Sequence, residues 1–486
     1  MQEITNSSKR SWVWLAGGAA LIVLANMRWG IGFLGWFAPV PLLRYLRTTA
    51  GWRTRALFAG VVIVAWVLTT AKIVSAPLPL AFALVGVPIG LLQTIGYLGA
   101  AWLRRRLGDA LGIVMVPSLM VVFELVQHRL SELGLGSWGA AGYTQVDNLA
   151  VLQLASVFGL AGVSSLIYLF AAAVEAAVSE RLDRRSTASV RRMIGAVIAV
   201  VVIVHAGGSI RLARPSGDTV RVAAIGTLGT FDGSREVSSV ERASVIDQLA
   251  SDTTAAAQAG ARLVVWTEAA ALVSPEEEPA LLTRVGSLAA SSNVHVVAGY
   301  VVLRTRTPLL FENKFAWIRP DGELDHTYLK HHPAPGEPAV TGTEPMTAVA
   351  DDFGMMSGAI CYDYDFPALA AAHGALGVDL IALPSSDWRG IDPGHTQMAA
   401  VRAIEQGTSI VRSTRFGLSA GIDPVGRFRA WSSSFDTAER VMVVDLPRHG
   451  ISTIYRSVGD VLVWAAGLAV FGALAMVARR RFARQA

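Results

Sequence analysis

The sequence predicts a helical membrane bundle of eight spans carrying an α/β domain, and three observations lead there. Of 486 residues, 52% are hydrophobic and 16% charged, with a mean hydropathy of +0.45. That balance belongs to integral membrane proteins and excludes collagen-like and wholly disordered chains. Apolar runs able to cross a bilayer, about 17 to 25 residues at a helical rise, crowd the first 210 positions and return once near the C-terminus. From about Thr219 to Leu446 the pattern changes to short strand-like runs interleaved with polar helical stretches and Pro/Gly turns.

In chain order, the expected spans lie near 12–26, 29–43, 55–74, 79–102, 109–127, 149–178 and 191–210, with a last one from Val458 to Ala478. Only Met27-Arg28 separates the first two, which suits a tilted or partly re-entrant hairpin. Residues 1–215 are therefore read as an N-terminal membrane domain, 219–448 as a soluble domain, and 457–486 as a closing span with its tail. Inside the soluble domain, Val220–Ile225, Leu263–Trp266 and Val294–Tyr300 have the length and composition of strands. Glu124 and Gln93 are the clearest polar groups within the spans, and a lone Glu124 near a span end reads as an interfacial residue.

Basic residues in the short connections set the orientation, because cytoplasmic loops retain Lys and Arg. Lys9, Arg10, Arg44, Arg47, Arg53, Arg55, Arg104 to Arg106, Arg181, Arg184, Arg185, Arg191, Arg192, Arg479 to Arg481 and Arg484 place 18 on one side, against Arg28, Lys72 and Arg129 on the other. Both termini are thus expected in the cytoplasm and the 219–448 domain on the outer face. No A-x-A-like site precedes the second span, which argues against a cleaved signal peptide. The basic excess of 42 Lys+Arg over 37 Asp+Glu sits in these blocks rather than over a soluble surface, so no nucleic acid is expected as a partner.

Three segments of the soluble domain have the form of a strand delivering a reactive side chain at its end. Leu263-Val264-Val265-Trp266-Thr267-Glu268 supplies a carboxylate, Tyr328-Leu329-Lys330 an amine before a Pro/Gly-rich turn, and Ser357-Gly358-Ala359-Ile360-Cys361 the only thiol of the chain. Carboxylate, amine and thiol together suit acyl transfer: the acid takes the thiol proton, the thiolate attacks a carbonyl, and the ammonium steadies the oxyanion and lowers the thiol pKa. Taken singly, each has a plainer reading. A lone Cys ending an apolar strand is commonly an inert core residue, Glu268 suits a helix cap, and Lys330 a solvated loop. With one cysteine, and with His326, His331 and His332 lacking ligand spacing, neither a disulfide nor a metal or other cofactor is expected.

The order and context of these segments resemble the nitrilase (carbon–nitrogen hydrolase) superfamily, and the span layout resembles its membrane branch, the apolipoprotein N-acyltransferases of bacteria. The likeness extends through Gly136-Ser137-Trp138-Gly139, Gly142-Tyr143-Thr144-Gln145, Asn313 to Lys330, Ile360 to Pro367, and His395 through Arg402-Ala403-Ile404-Glu405 to Arg412-Ser413-Thr414. It implies an α-β-β-α sandwich for the soluble domain. It also implies Glu268 as general base, Lys330 as oxyanion and thiolate stabiliser, Cys361 as nucleophile, Glu337 as a supporting acid, and the Tyr362 N–H as an oxyanion donor. Four stretches depart from the family pattern: Asp363 stands where Glu is usual, the loop after Lys330 is one residue shorter and reads Ala334-Pro335-Gly336-Glu337-Pro338-Ala339 in place of Phe-Gly-Glu-Tyr-Val-Pro, Ser386-Asp387-Trp388-Arg389 replaces Asn-Asp-Ala-Trp-Phe, and Thr414-Arg415-Phe416-Gly417 lacks the usual Asn. Asp363 and Trp388 are accordingly candidates for the substrate cleft.

The activity so implied is transfer of a fatty acyl chain from a membrane phospholipid to the α-amino group of a diacylglyceryl-cysteine at a lipoprotein N-terminus, by a monomer in the bacterial inner membrane with its catalytic domain outside the cytoplasm. A membrane-tethered amidase, an acyltransferase using another amine, and a transporter or scaffold with an inactive outer domain stand as alternatives.

Overall fold

The computed structural model describes residues 2–74, 81–129, 136–183, 187–227 and 236–483. Positions 79 and 80 of the fourth expected span, and Arg184, Arg185 and Arg484 of the basic blocks, lie outside the described residues. The chain divides into two compact units, 1–213 with 457–486, and 214–456.

The first unit is helical: α1 (Gln2–Ala25), α2 (Gly32–Gly35), α3 (Pro39–Thr48), α4 (Trp52–Ala71), α5 (Ala81–Leu107), α6 (Asp109–Arg129), α7 (Leu149–Leu152), α8 (Ala155–Asp183), α9 (Ala188–Leu212) and a C-terminal helix, Val461–Phe482. Among the described residues six helices are long and apolar enough to cross a membrane: Trp52–Thr70, Phe82–Leu107, Asp109–Arg129, Ala155–Asp183, Ala188–Leu212 and Val461–Phe482. The first expected span corresponds to a shorter apolar helix, Ser11–Ala25. The second, 29–43, is divided between α2 and the start of α3, after a turn in which Met27 and Trp29 both adopt φ of 58°.

Large side chains such as Phe58, Trp66, Ile89, Tyr97, Met120 and Tyr168 fill the bundle core. Helices approach closely where small residues allow it: a Cβ on Gly90 of α5 would stand 2.7 Å from Cα of Ile63 on α4.

Glu124 is not a lone interfacial group. It is buried, its Oε1 accepts the Ala141 N–H at 3.0 Å, and Tyr168, which receives a Gln93 amide bond at 3.2 Å, lies 3.4 Å from the same oxygen. These bonds tie the 136–146 segment, in which Ala141–Gln145 form a 3-10 helix, to three helices, which satisfies backbone that lipid would leave bare. A second polar layer joins α3, α5, α6 and α8. Arg44 donates to both oxygens of Asp183 at 2.7 Å and to Ser179 at 2.7 Å, Arg47 and Arg104 each reach Asp109 at 2.9 Å, and Arg104 pairs with the fully buried Glu175.

Among its described residues the second unit has thirteen strands and four main helices. The strands are β1 (Thr219–Ile225), β2 (Leu263–Trp266), β3 (Ala271–Val273), β4 (His295–Arg306), β5 (Leu309–Ile318), β6 (Leu324–Leu329), β7 (Ala348–Asp351), β8 (Gly354–Gly358), β9 (Leu380–Ser386), β10 (Ser409–Arg415), β11 (Leu418–Ile422), β12 (Phe428–Ser433) and β13 (Val441–Pro447). The helices are α10 (Ser239–Gln258), α11 (Glu278–Ser292), α12 (Pro367–Ala375) and α13 (Gly394–Gln406). One sheet has the order β13-β1-β2-β4-β5-β6, with β3 beside β4, and the other β12-β11-β10-β9-β8-β7.

Alternation along each strand explains the layering, because successive side chains point to opposite faces. Val222, Leu263 and Val265 meet Met356, Leu380 and Val411 of the other sheet in one core. Their neighbours Ala223, Val264 and Trp266 pack on Leu249, Leu281 and Val285 of α10 and α11. Ile381, Leu383 and Ile410 likewise turn outward onto Leu369 of α12 and Ala399 and Ala403 of α13. Both faces of each central strand are covered, so these strands read as unbroken apolar runs. The result is an α-β-β-α sandwich.

Candidate active site

β1, β2 and β4 run parallel, as do β8, β9 and β10. In α/β folds the carboxyl ends of parallel strands are where side chains escape the core. Glu268 lies two residues past β2, Cys361 three past β8, and Asp387 directly after β9. The two sheets touch at this end: the Glu268 N–H donates to the Ser385 carbonyl at 3.3 Å, and Ser413 Oγ to the Ile225 carbonyl at 3.1 Å. The close approach depends on Gly299 of β4, where an added Cβ would stand 2.2 Å from the Thr267 carbonyl oxygen.

Lys330 follows β6 and is held by its N–H bond to the Asn313 carbonyl at 2.9 Å. Its ammonium is 1% exposed and donates to Glu268 Oε1 at 2.7 Å and to Glu337 Oε2 at 2.8 Å. Burial alone pushes this amine down, but Glu268, Glu337 and Cys361 outweigh it and hold its pKa well above the ordinary lysine value. Glu337 also receives the Ala334 N–H at 2.8 Å, so the Pro/Gly turn is pinned by the carboxylate it presents.

Cys361 opens a 3-10 turn, Cys361–Asp365, with φ of 49°. A non-glycine residue in that region is strained by about 1 kcal/mol or more, and such strain persists when surrounding bonds fix it. Here Asp363 fixes it. Its carboxylate accepts from the Ile360 N–H at 3.0 Å, the His332 N–H at 2.7 Å and Tyr328 Oη at 2.8 Å. Asp363 is fully buried and caps the turn from within, whereas Trp388 is 41% exposed beside the strand end. Tyr362 is buried with its ring edge-on to Phe366.

The thiol donates to the Ser386 carbonyl at 3.4 Å. Burial first and Glu268 second raise its pKa well above the ordinary cysteine value, and Lys330 offsets only part of that. Lys330 does act on the thiol in the expected direction, lowering its pKa, but burial and the neighbouring Glu268 outweigh it. The resting group is a thiol.

Two features went unread in the sequence. Asn313 bridges the two acids, donating to Glu268 Oε1 at 2.7 Å and to Glu337 Oε1 at 2.8 Å. An amide at the inward position between Phe311 and Phe315 of β5 is the signal that would have marked it. The second is a buried cluster of Asp365, Asp387, His395 and Arg412 on the far side of the sulfur. It is drawn from four separate segments, which no local spacing reveals.

Comparison with known proteins fits this arrangement. The profile of the family described as carbon-nitrogen hydrolase matches residues 221–456, and that of the apolipoprotein N-acyltransferase N-terminal domain matches residues 18–173. Similar curated proteins include the apolipoprotein N-acyltransferases of Bradyrhizobium diazoefficiens, 27% identical over 83% of this chain and 80% of that one, and of Geobacter metallireducens, 26% identical over 77% of each. The Rhodopseudomonas palustris apolipoprotein N-acyltransferase is 27% identical over 92% of this chain and 86% of its own. Among solved structures, an amidase from Nesterenkonia sp. is 20% identical, with a TM-score of 0.41, covering 48% of this chain and 92% of that one. With both profiles matched in order and relatives of that name aligned over about four fifths of their length, the chain belongs to the apolipoprotein N-acyltransferase family of the nitrilase superfamily.

Proposed function

We propose that the protein takes a fatty acyl chain from a membrane phospholipid and passes it, through a thioester on Cys361, to the α-amino group of a lipoprotein's N-terminal diacylglyceryl-cysteine. The observation that carries the reading is the convergence of Glu268, Lys330 and Glu337 through 2.7 and 2.8 Å bonds, beside a buried thiol on a strained turn.

Because the thiol rests protonated, it is activated at the moment of attack. Both bonds to Glu268 fall on Oε1, which leaves Oε2 to accept the S–H proton. The sulfur adds to the ester carbonyl carbon, and the oxyanion gathers on the Lys330 ammonium and the Tyr362 backbone N–H. Collapse breaks the C–O bond, and Glu268 returns its proton to the departing lysophospholipid. In the second half the acceptor amine adds to the thioester, Glu268 takes the amine proton, the C–N bond forms and the C–S bond breaks, and the thiol is restored. Lys330 stays charged throughout, as its two carboxylate partners favour.

The charge bias of the loops, with the eight spans expected from the sequence, supports a catalytic unit on the extracytoplasmic face of the inner membrane, where donor and acceptor would both diffuse in the outer leaflet. Confinement raises their effective concentration, and an apolar surrounding keeps water from the thioester. Incubating the purified monomer with phospholipid and then with a diacylglyceryl lipopeptide tests the proposal by intact mass. An acyl adduct on Cys361 that moves to the lipopeptide amine is expected. An adduct released as free fatty acid at the same rate with or without lipopeptide would instead favour a hydrolase, and a gain only on other amines a different acceptor.

A further inference from the structure

The cluster on the far side of the sulfur is used by none of these steps. Asp365 is the last residue of the Cys361 turn, and Asp387 follows Ser386, whose carbonyl receives the thiol hydrogen. The His395 ring, on α13, lies between them: Nε2 is 2.7 Å from Asp365 Oδ1 and Nδ1 is 2.7 Å from Asp387 Oδ1. Arg412 of β10 holds both Asp387 oxygens, at 2.8 and 3.0 Å, and is itself fixed by the hydroxyls of Thr396 and Thr414 at 2.6 and 2.8 Å.

We propose that His395 is a positioning residue for Cys361: by bridging Asp365 and Asp387 it fixes the nucleophile's turn against the strand end that faces the sulfur, and it balances the buried negative charge there. The inference rests on reading Cys361 as the nucleophile.

Ionised carboxylates only accept hydrogen bonds, and although Arg412 Nη2 stands 3.0 Å from Nδ1, each ring nitrogen is closer to a carboxylate oxygen, at 2.7 Å, an arrangement that favours the doubly protonated, positive ring. Burial pulls the imidazole down, yet Asp365 and Asp387 prevail against Arg412 and hold its pKa up at about 9. Two acids and two cations then leave the cluster neutral. Without the imidazolium, Arg412 alone would face both acids, and one of them, Asp387, has an oxygen within 4.8 Å of Cys361 Sγ. Such a charge opposes thiolate and oxyanion alike. The same three atoms form a donor set of the kind that holds zinc, but the bonding favours the positioning role. Both ring nitrogens and both Asp387 oxygens are already committed, and Arg412 with the imidazolium supplies the positive charge a metal would bring. The charged groups facing His395 are Asp365 from the turn, Asp387 from the end of β9, Arg412 from β10 and Cys361, with Asp392 facing Asp387 and Arg412 from the loop before α13.

The test is the pH profile of Cys361 alkylation by iodoacetamide in the full-length, detergent-solubilised protein, read by intact mass beside acyl-adduct formation from phospholipid. His395→Gln should move alkylation to higher pH and slow it about tenfold at neutral pH, the consequence of a thiolate fraction reduced about tenfold. Asp365→Asn combined with His395→Gln removes the excess charge as well, so alkylation should return toward the wild-type profile while adduct formation stays slow for want of the bridge. A merely structural histidine would not give that charge rescue. Asp365→Asn alone leaves the cation in excess and should move alkylation to lower pH, which carries the test should His395→Gln fail to fold. Unchanged alkylation in His395→Gln, or a double variant no nearer wild type than the single one, overturns the inference. Wild-type protein that alkylates but never gains an acyl group refutes the acyl-transfer reading instead, and the alkylation profiles still decide the role of His395.

Discussion

Asn313 donates its amide to the same oxygen of Glu268, Oε1, that receives the Lys330 ammonium, both at 2.7 Å. Two donors on one oxygen turn the carboxylate so that its other oxygen is the one presented for proton transfer. Asn313→Ala should therefore leave the fold in place while slowing acyl-adduct formation about 10- to 100-fold, a part of the roughly 10²–10⁴-fold that a positioned acid–base group supplies. Asn313→Asp should be worse, since it sets a third carboxylate against Glu268 and Glu337 around a single ammonium. Rapid-quench intact mass measures the rate and circular dichroism checks the fold. A rate within twofold of wild type for Asn313→Ala would remove the amide from the mechanism.

The Glu268–Lys330 pair was legible from residue types and order, and Asn313 was not, for a physical reason. Strand ends announce themselves where an apolar run stops at a charge, as Leu263–Trp266 does before Glu268. Asn313 acts through register instead: β5 and β6 pair Lys314 with Leu329, which sets Asn313 beside Lys330, and register across strands is invisible to a local reading. The membrane part shows the same limit. Its long apolar runs were plain, but Glu175 lies within one of them and its partners come from other helices. Asp363, expected at the cleft, closes the turn that carries Cys361, because a short acid three residues after Ile360 reaches that residue's own N–H.

The buried ion pairs of the helical unit predict a contrast in stability. Glu175 is fully buried and faces Arg104, with Arg47 at 3.7 Å. Glu175→Ala removes their buried acid and leaves them the part-exposed Asp109, so the loss should lie toward the lower end of the about 3–5 kcal/mol for breaking a buried pair. Arg221→Ala breaks only the exposed bridge to Asp445 and should lie near the small effects of surface pairs. Fluorescence-detected thermal unfolding in detergent compares them. Equal midpoints for the two variants would mean that the helical network carries no stability.

Stability should also depend on pH through His395. Its folded pKa of about 9 lies above the ordinary imidazole value of 6.5, so the charged form is bound more tightly in the folded chain. That contribution is fully present below the unfolded value and fades as pH rises through the folded one. At the acid end Asp387 sets the limit. Burial works against its charge, but Arg412 and His395 hold its pKa well below the usual carboxylate range, so its share is present above the unfolded value near 3.8 and is lost as pH falls further. The midpoint difference between wild type and His395→Gln should therefore be largest near pH 5 to 6.5 and shrink above pH 9. A difference constant from pH 5 to 10 would mean that the histidine contributes packing alone.

Backbone clearance provides the last prediction. Gly299→Ala would drive a methyl to 2.2 Å from the Thr267 carbonyl, and neither β4 nor the β2 end can yield without moving Glu268 or breaking the Val264–Val296 and Val265–Val297 pairing. Overpacking of this kind costs about 1–3 kcal/mol. If the strand end shifts to relieve it, Glu268 leaves the Lys330 ammonium and adduct formation falls even in protein that remains folded. Gly195→Ala in α9 is the control: nothing lies within 4 Å of its added carbon, and alanine suits a helix better than glycine. Adduct rates should fall at least tenfold for Gly299→Ala, as for loss of a positioned general base, and stay at wild type for Gly195→Ala. Full activity in Gly299→Ala would mean that the turn bearing Glu268 has slack the close approach denies it, and the alignment of the base would have to come from Asn313 and Lys330 alone.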